Sequence, residues 1–327
     1  MKPVQRMALG KWWSAAGWAV LAVAVCFFPP LAQDPYLVHV VNLAAIALIV
    51  TIGLNLLAGY AGQISIGHGA FYLVGAYAGA LLVLNLHAPF LLTLPAGAVA
   101  AALMGWVVGR PTLRLKGAYL AMATLGIVEI VQVVALNWTG FTGGALGLSN
   151  IPPAQVFGLT LDSETSYFYF LVVVAVIVYL GVNRLLDSEL GRAWRAIRDN
   201  EVAAQVMGID VARLKSLAFV VSCAVAGLAG ALYAPLVTFV SPSGFGFNES
   251  VALLTMALAG GLGWRFGPIF GVALLSFAQQ YLQALNSLQL VVYGLLLTVV
   301  ILFMPQGIAG GLTAAWQHLR WRRAHDA

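Results

Sequence analysis

Four polar side chains interrupt an apolar stretch and are the residues in this sequence best suited to chemistry. Asn55, Gln63, Ser65 and His68 lie within LNLLAGYAGQISIGHGAFYLVGAY (residues 54–77), which also contains five glycines. Amide, hydroxyl and imidazole groups donate and accept hydrogen bonds without carrying a fixed charge. We therefore expect these side chains to contact a polar solute, and we predict no catalytic residues.

The composition places these residues in an integral membrane protein. Of the 327 residues, 61% are hydrophobic and only 8% are charged, and a soluble domain of this length could not bury so much apolar surface. Cys26 and Cys223 lie far apart in apolar runs, so neither a disulfide nor a metal site is predicted. The pattern GxxxxGK[ST] is absent from the sequence, so the chain is not expected to bind ATP through that loop. No cofactor and no nucleic acid partner are predicted for the chain itself.

Hydropathy predicts an all-α, polytopic bundle of about ten transmembrane helices within residues 12–304. The chain is expected to form one transmembrane domain over residues 1–327, and the first span is expected to remain uncleaved. The predicted spans are Trp12–Ala32, Tyr36–Ala58, His68–Leu86, Pro89–Gly109, Gly117–Leu136, Tyr167–Leu186, Leu217–Val240, Glu249–Leu262, Gly267–Leu285 and Ser287–Met304.

The charges predict the orientation of this bundle. With these spans, all 16 Lys and Arg residues fall on one side, and the other side carries Asp34, Asp162, Glu164 and Glu249. Basic loops face the cytoplasm, so both termini are expected there. The short eighth span is expected to cross completely, because otherwise Arg265 would lie outside.

The broken segment of residues 54–77 has two interpretations. Backbone that is not helical persists at membrane depth only where protein buries it or water lines it, which favours the wall of a translocation path. The alternative is a short turn between two spans, with His68 at the membrane interface. Glu129 adds an acidic residue inside a span, which is functional by default unless it is a protonated carboxyl bonded across a helix interface. The predicted path residues are Asn55, Gln63, Ser65, His68, Thr124 and Glu129.

A charged segment, Asp187–Lys215, stands out from the apolar sequence around it; we call it the island. Leu190, Trp194 and Ile197 recur at helical spacing and predict an amphipathic helix. Asn200 is suited to cap a second short helix, and Gly208 to end it in a left-handed conformation. The island is either a helix on the membrane surface or a docking element for a cytoplasmic partner.

The longest segment on the other side, residues 137–166, is rich in Gly, Thr and Pro. It is either a loop in solvent or an outer cap where a delivery protein binds or substrate enters.

Three sequence blocks resemble the LivM-like permease subunits of bacterial branched-chain amino acid ABC importers. They are residues 55–77, KGAYLAMATLGIVEIV (116–131) and residues 191–233, and PQGIAGGL (305–312) closes the match. The resemblance implies that the island, residues 187–215, is the cytoplasmic loop that couples the permease to its ATPase. The residues it assigns to coupling are Gly191, Arg192, Arg195, Asn200, Glu201, Ala204 and Gly208.

The resemblance also implies the partners and the cargo. The partners would be a sister permease, two cytoplasmic ATP-binding subunits that use ATP and Mg²⁺, and a periplasmic solute-binding protein. The location would be the bacterial inner membrane, and the cargo Leu, Ile and Val. Urea, short amides or another small carboxylate are alternative cargoes, and a stand-alone secondary transporter or channel is the alternative class. Under the importer hypothesis, Arg195→Glu combined with Glu201→Arg is expected to uncouple ATP hydrolysis.

Overall fold

The computed structural model describes residues 34–112, 115, 117–156, 158–282, 294 and 298. The predicted span Trp12–Ala32 lies outside the described residues, as do the end of the ninth span and all of Ser287–Met304 except residues 294 and 298. The same holds for the basic residues of both terminal segments and for Arg114 and Lys116.

Helices dominate this part of the chain. The α-helices are α1 Pro35–Leu54, α2 His68–Leu86, α3 Phe90–Thr112, α4 Ala118–Asn137, α5 Thr139–Thr142, α6 Glu164–Asp187, α7 Glu189–Asp199, α8 Glu201–Val206, α9 Val211–Val237, α10 Phe247–Gly260 and α11 Gly267–Leu282. A π-helix, Asn55–Tyr60, continues α1, and 3₁₀ turns occupy Gly144–Leu146 and Pro242–Phe245. Strands β1 Gln155–Val156 and β2 Leu159–Thr160 form a small antiparallel hairpin in which Gln155 faces Thr160.

Six helices among the described residues are long and apolar enough to cross a membrane. They are Pro35–Tyr60, His68–Leu86, Phe90–Thr112, Ala118–Asn137, Glu164–Asp187 and Val211–Val237, and each corresponds to a predicted span. The last begins six residues earlier than predicted. The reason is a cap, because the Asp210 carboxylate accepts a hydrogen bond from the Arg213 N–H at 3.0 Å.

The eighth predicted span differs from expectation. Helix α10 has only 14 residues, which at 1.5 Å per residue gives about 21 Å, whereas the hydrocarbon layer is about 30 Å thick. This helix alone is therefore too short to cross, and it is preceded by the 3₁₀ turn Pro242–Phe245 rather than by a loop in solvent.

Glycines allow the three central helices α2, α3 and α9 to pack with their backbones in contact. A Cβ on Gly75 would collide with the Gly227 backbone, one on Gly227 with the Gly97 carbonyl, and one on Gly230 with the Tyr72 carbonyl. Small residues let membrane helices approach in this way. Gly267 and Gly271 of α11 make such contacts too, with the Gly261 and Met256 carbonyls respectively.

The contacts also fix the direction of each helix. Helix α9 starts in the island, so we call that end of the bundle the island end and the other the opposite end. Gly75 faces Gly227 and Gly79 faces Ala231, so α2 runs parallel to α9 towards the opposite end. Helix α1 runs the other way, because its last residues lie against Arg198 of the island.

Candidate functional site

The broken segment after α1 folds back into the bundle. Gly62 lies against Arg198 at the island end, but His68, six residues later, lies deep inside. The His68 Nε2 is 2.7 Å from the Ser222 Oγ, which donates to the Gly53 carbonyl at 2.6 Å. Gly53 precedes Tyr60 by almost two helical turns, so α2 begins within the bundle. His68 is 1% exposed, so it lies inside the bundle and not on its surface.

Asn55 explains why the segment bends at this point. Its Nδ2 donates to the Trp264 carbonyl at 2.9 Å, and its Oδ1 accepts from the Gly263 N–H at 2.8 Å. One side chain therefore holds the loop after α10 against the first turn of the π-helix. π-Helices occur mostly as single-turn bulges within α-helices, and frequently at functional sites.

Gln63, Ser65 and His68 lie close together in the chain at the start of α2, and Thr124 of α4 contacts the same segment; we call these four residues the polar cluster. The Thr124 Oγ1 accepts from the Ile66 N–H at 3.0 Å, and the Ser65 Oγ accepts from the Gly67 N–H at 3.2 Å. All four side chains are buried. A hydrogen bond thus joins α4 to the broken segment.

Gln63 is the member of this cluster with unmet hydrogen-bonding capacity. Its side chain is 3% exposed, and within the described residues neither its Nε2 nor its Oε1 has a partner. The Nδ1 of His68 is likewise buried without one. A buried polar group left unpaired costs about 1–3 kcal/mol, so these atoms are suited to bind water or a passing polar solute.

Glu129 does not join this cluster. It lies more than one turn beyond Thr124 on α4, is exposed, and lines a cavity of about 360 Å³ together with Gln132 and Glu249.

Glu249 is a correction to the sequence prediction, which placed it on the outer surface. It is the third residue of α10 and borders two cavities, of about 360 and 250 Å³. The reason is the 3₁₀ turn Pro242–Phe245, whose Pro242 and Phe245 are buried and which starts α10 inside the bundle. A Pro–Ser–Gly–Phe–Gly run before an acidic residue is the signal from which this break could have been found.

The first turns of α2 and α10 meet. The Gly69 N–H donates to the Ser250 Oγ at 3.0 Å, and a Cβ on Gly69 would lie 2.6 Å from the Phe245 carbonyl. The two helices leave this contact in opposite directions, α2 to the opposite end and α10 to the island end. Two helix N-termini therefore converge inside the bundle, which sequence reasoning did not foresee.

The island has the local structure predicted for it. Helices α7 and α8 are separated at Asn200, whose Oδ1 accepts from the Ala203 N–H at 3.0 Å, and Gly208 has a φ of 82°. Trp194 is fully buried and its Nε1 donates to the Leu214 carbonyl at 2.8 Å. The island is therefore a compact unit fixed to α9.

Several predicted coupling residues hold the island in place. The Lys215 Nζ lies 2.9 Å from the Glu201 Oε2, and the Arg195 Nη1 donates to the Leu186 carbonyl at 3.2 Å. Gly191 packs on the Leu186 backbone and Ala204 is buried. The double substitution Arg195→Glu and Glu201→Arg would thus break contacts within the island. It is therefore a poor test of docking to a partner.

Further contacts join the island end to the bundle. Arg198 donates to the Gly59 carbonyl in the π-helix, and Arg265, after α10, forms an ion pair with Asp187 at the end of α6. The hydrogen bond to Asp187 raises the pKa of Arg265. Arg192, by contrast, has a largely exposed side chain.

The outer surface of the island is apolar at its tip. Val202, Val206 and Met207 are 70%, 81% and 81% exposed, although they sit on a helix whose Ala204 is buried. Sequence reasoning selected the charged residues and missed these three. Exposed apolar patches mark interaction sites, so this tip is the surface of the island best suited to contact a partner.

Residues 137–166 are packed against the bundle at the opposite end. Leu148 and Val240 exchange backbone hydrogen bonds at 2.9 Å in both directions, and Ile151 and Ala154 are buried. The segment therefore covers the bundle, while Leu146 remains exposed at its surface.

These features define a mostly helical, multi-pass membrane protein with a broken polar interior. The model of the family described as branched-chain amino acid transport system, permease component, matches residues 36–304. The chain is 36% identical over 313 residues to the high-affinity branched-chain amino acid transport system permease protein LivM of Escherichia coli K12, covering 89% of this chain and 73% of the relative. It belongs to this family of transport permease components.

Other relatives are more distant. Over 292 residues the chain is 28% identical to the permease protein LivH of Escherichia coli K12, which is named for the same kind of transport system; the match covers 83% of this chain and 93% of LivH. It is 26% identical over 288 residues to the permease protein BraD of Pseudomonas aeruginosa, with coverage of 80% and 91%. No solved structure matches the chain.

Proposed function

We propose that this chain is one permease subunit of an ATP-driven importer of branched-chain amino acids in a bacterial inner membrane. It acts with a sister permease, two cytoplasmic ATP-binding subunits that carry the ATP and Mg²⁺ chemistry, and a periplasmic solute-binding protein. Its topology comprises about ten membrane segments, of which the short helix α10 starts inside the bundle, and two cytoplasmic termini. Family membership supports the cargo, and the names of LivM and LivH in one bacterium support a system with two kinds of permease.

The observation that carries the importer proposal is the construction of the island. A capped helix pair is anchored by buried Trp194 and presents Val202, Val206 and Met207 to solvent. A rigid element with an apolar tip allows separate ATP-binding subunits to bind the membrane domain and to displace part of it. The basic residues around it support a cytoplasmic position for the island, where ATP is available.

The island transmits motion to the bundle through direct contacts. When the ATP-binding subunits close, the island moves with them because its helices are capped and pinned. Arg198 carries that motion to the π-helix, and Trp194 carries it to α9. The bundle then exchanges between two openings, and the loaded solute-binding protein favours one of them.

The polar cluster at the start of α2 serves as a weak site along the path. Leu, Ile and Val each carry an ammonium and a carboxylate beside an apolar side chain. The amide of Gln63, the hydroxyls of Ser65 and Thr124 and the nearby helix N-termini can host these charges without a fixed countercharge. High affinity resides in the solute-binding protein, so a weak site is sufficient here.

The test is uptake by proteoliposomes that contain this chain with and without the four other subunits from the same genome. Radiolabelled leucine should accumulate only when all partners and ATP are present, and unlabelled isoleucine and valine should compete, whereas urea should not. If urea or short amides compete and isoleucine and valine do not, the proposed cargo is wrong and urea or short amides take its place. Accumulation by this chain alone, driven by an ion gradient, would show a secondary transporter and refute the importer.

A further inference from the structure

The smaller cavity beside Glu249 combines one carboxylate with aromatic rings. It encloses about 250 Å³ between α1, α2, α9, α10 and α11. Tyr72, Tyr233, Phe245 and Glu249 line one side of it, and Leu43 and Met256 supply apolar surface. This volume is slightly below that of typical drug-sized ligand pockets and suits a solute of amino acid size.

The three rings form a mutually packed cluster. Their centroids are 5.6 Å apart for Tyr72 and Tyr233, 4.8 Å for Tyr72 and Phe245, and 5.2 Å for Tyr233 and Phe245, all edge to face. Ring faces attract cations, and an ammonium group within about 6 Å of a ring centroid is stabilised by this attraction. An aromatic cluster beside a carboxylate therefore favours a cation over an anion.

Glu249 lacks a countercharge in the described part of the chain. No Lys, Arg or His there forms an ion pair with it, and no hydrogen bond reaches its carboxylate among the same residues. Burial without a countercharge favours the neutral form of a carboxyl group, whereas its position in the first turn of α10 favours the ionised form, because helix N-termini stabilise anions. A positive group that enters the cavity would therefore pair with the ionised carboxylate.

We propose that Glu249, Tyr72, Tyr233 and Phe245 bind the ammonium group of an aliphatic amino acid, whose side chain lies against Leu43 and Met256. The site lies in the half of the bundle nearer the opposite end, apart from the polar cluster of Gln63. The identity of the cargo rests on the proposed function, while the ammonium site rests on the carboxylate and the rings. Ser276 and Gln279, on the remaining wall, are donors for the carboxylate of the solute.

The experiment measures binding of two probes to the purified full chain in lipid nanodiscs by saturation-transfer NMR. 3-Methylbutylamine carries an ammonium on a branched tail at neutral pH, and 4-methylpentanoate carries a carboxylate on a similar tail. The wild type should bind the amine better than the acid. Glu249→Gln should weaken amine binding by about tenfold or more, since a hydrogen bond to a charged group contributes about 1.5–3 kcal/mol.

Matched variants separate charge from folding. Glu249→Asp should retain amine binding in part, Tyr233→Phe should retain it, and Tyr233→Leu should lose it. Asp162→Asn removes an exposed carboxylate outside the cavity and should have no effect. Equal amine binding by wild type and Glu249→Gln, or no saturable amine binding by the wild type, would overturn the inference.

The outcomes are distinct from those for the proposed function. If the complete transporter carries leucine but Glu249→Gln binds the amine as well as the wild type does, the ammonium site is refuted and the importer proposal is supported. If amine binding depends on Glu249 but leucine is not carried, the ammonium site stands and the proposed cargo is wrong.

Discussion

Gln63 is a buried side chain whose unpaired amide lowers the stability of the protein. Its amide is buried with no hydrogen-bond partner in the described residues, in a cluster where Ser65 and Thr124 are both bonded. An apolar residue would avoid the cost of burying an unpaired amide. A glutamine at this position is therefore explained better by contact with a polar solute than by packing.

We predict that Gln63→Leu raises the melting temperature of the purified chain and slows leucine uptake by the complete transporter about tenfold. The stability gain follows from removal of an unpaired amide that costs about 1–3 kcal/mol, and the loss of uptake follows from removal of its hydrogen bonds to the solute. Scanning fluorimetry and proteoliposome uptake measure the two effects. Gln155→Leu, in the exposed hairpin, is the control and should leave uptake unchanged. A lower melting temperature with normal uptake would assign Gln63 a purely structural role.

At the scale of the helix, the space around each glycine determines how a substitution there changes the stability of the protein. Gly75 meets the backbone of Gly227, whereas nothing lies within 4 Å of a Cβ added at Gly126. The two glycines look alike in the sequence, and only the packing of α2 on α9 distinguishes them.

Gly75→Ala is expected to destabilise the chain by about 1–3 kcal/mol or more, because overpacking forces the backbones apart. Gly126→Ala, in the middle of α4, is expected to stabilise it by about 0.5–1 kcal/mol through helix propensity. Thermal unfolding in detergent compares the two variants with the wild type. Equal melting temperatures for both variants would show that the contact between α2 and α9 is not as close as described.

The island is the second element whose surface can be tested. Val206→Glu should prevent copurification of the ATP-binding subunits and abolish leucine-stimulated ATP hydrolysis, because a charge on the exposed tip opposes its burial in a groove. The melting temperature of the chain alone should not change, since Val206 is 81% exposed. Asp199→Arg, on the exposed surface of the island, provides the charge control, and a Val206→Glu variant that still copurifies would contradict docking at the tip.

At the scale of the whole molecule, much of the architecture follows from the sequence. Hydropathy located the six described spans because the hydrocarbon layer demands long apolar helices, and Asn200 and Gly208 fixed the form of the island through local hydrogen bonds and backbone conformation. Glu249, Ser222 and Ser250 were missed because their roles arise from contacts between helices distant in sequence. The exposed tip was missed because an apolar residue on a short amphipathic helix looks like core until its neighbours are placed.

Alternating access at this scale predicts that Gln63 changes its exposure during the transport cycle. In a background with Cys26 and Cys223 replaced by alanine, Gln63→Cys should react slowly with a small polar thiol reagent in the state described, where the residue is 3% exposed. Trapping the complete transporter with ATP and vanadate should change the rate by about tenfold or more, because the bundle switches its opening. Rates that are the same in every nucleotide state would place Gln63 in permanently packed protein.

The π-helix at Asn55–Tyr60 carries one residue more per turn than the α-helix before it, and Arg198 binds the Gly59 carbonyl inside that turn. If this bond were released, the surplus residue could move along the helix to its end at Tyr60, and each residue that it passes would turn by about 100° around the axis. The segment after Tyr60 would then leave the helix in a different direction. A small displacement of the Arg198 guanidinium would in this way reorient the amide of Gln63 without translation of any helix.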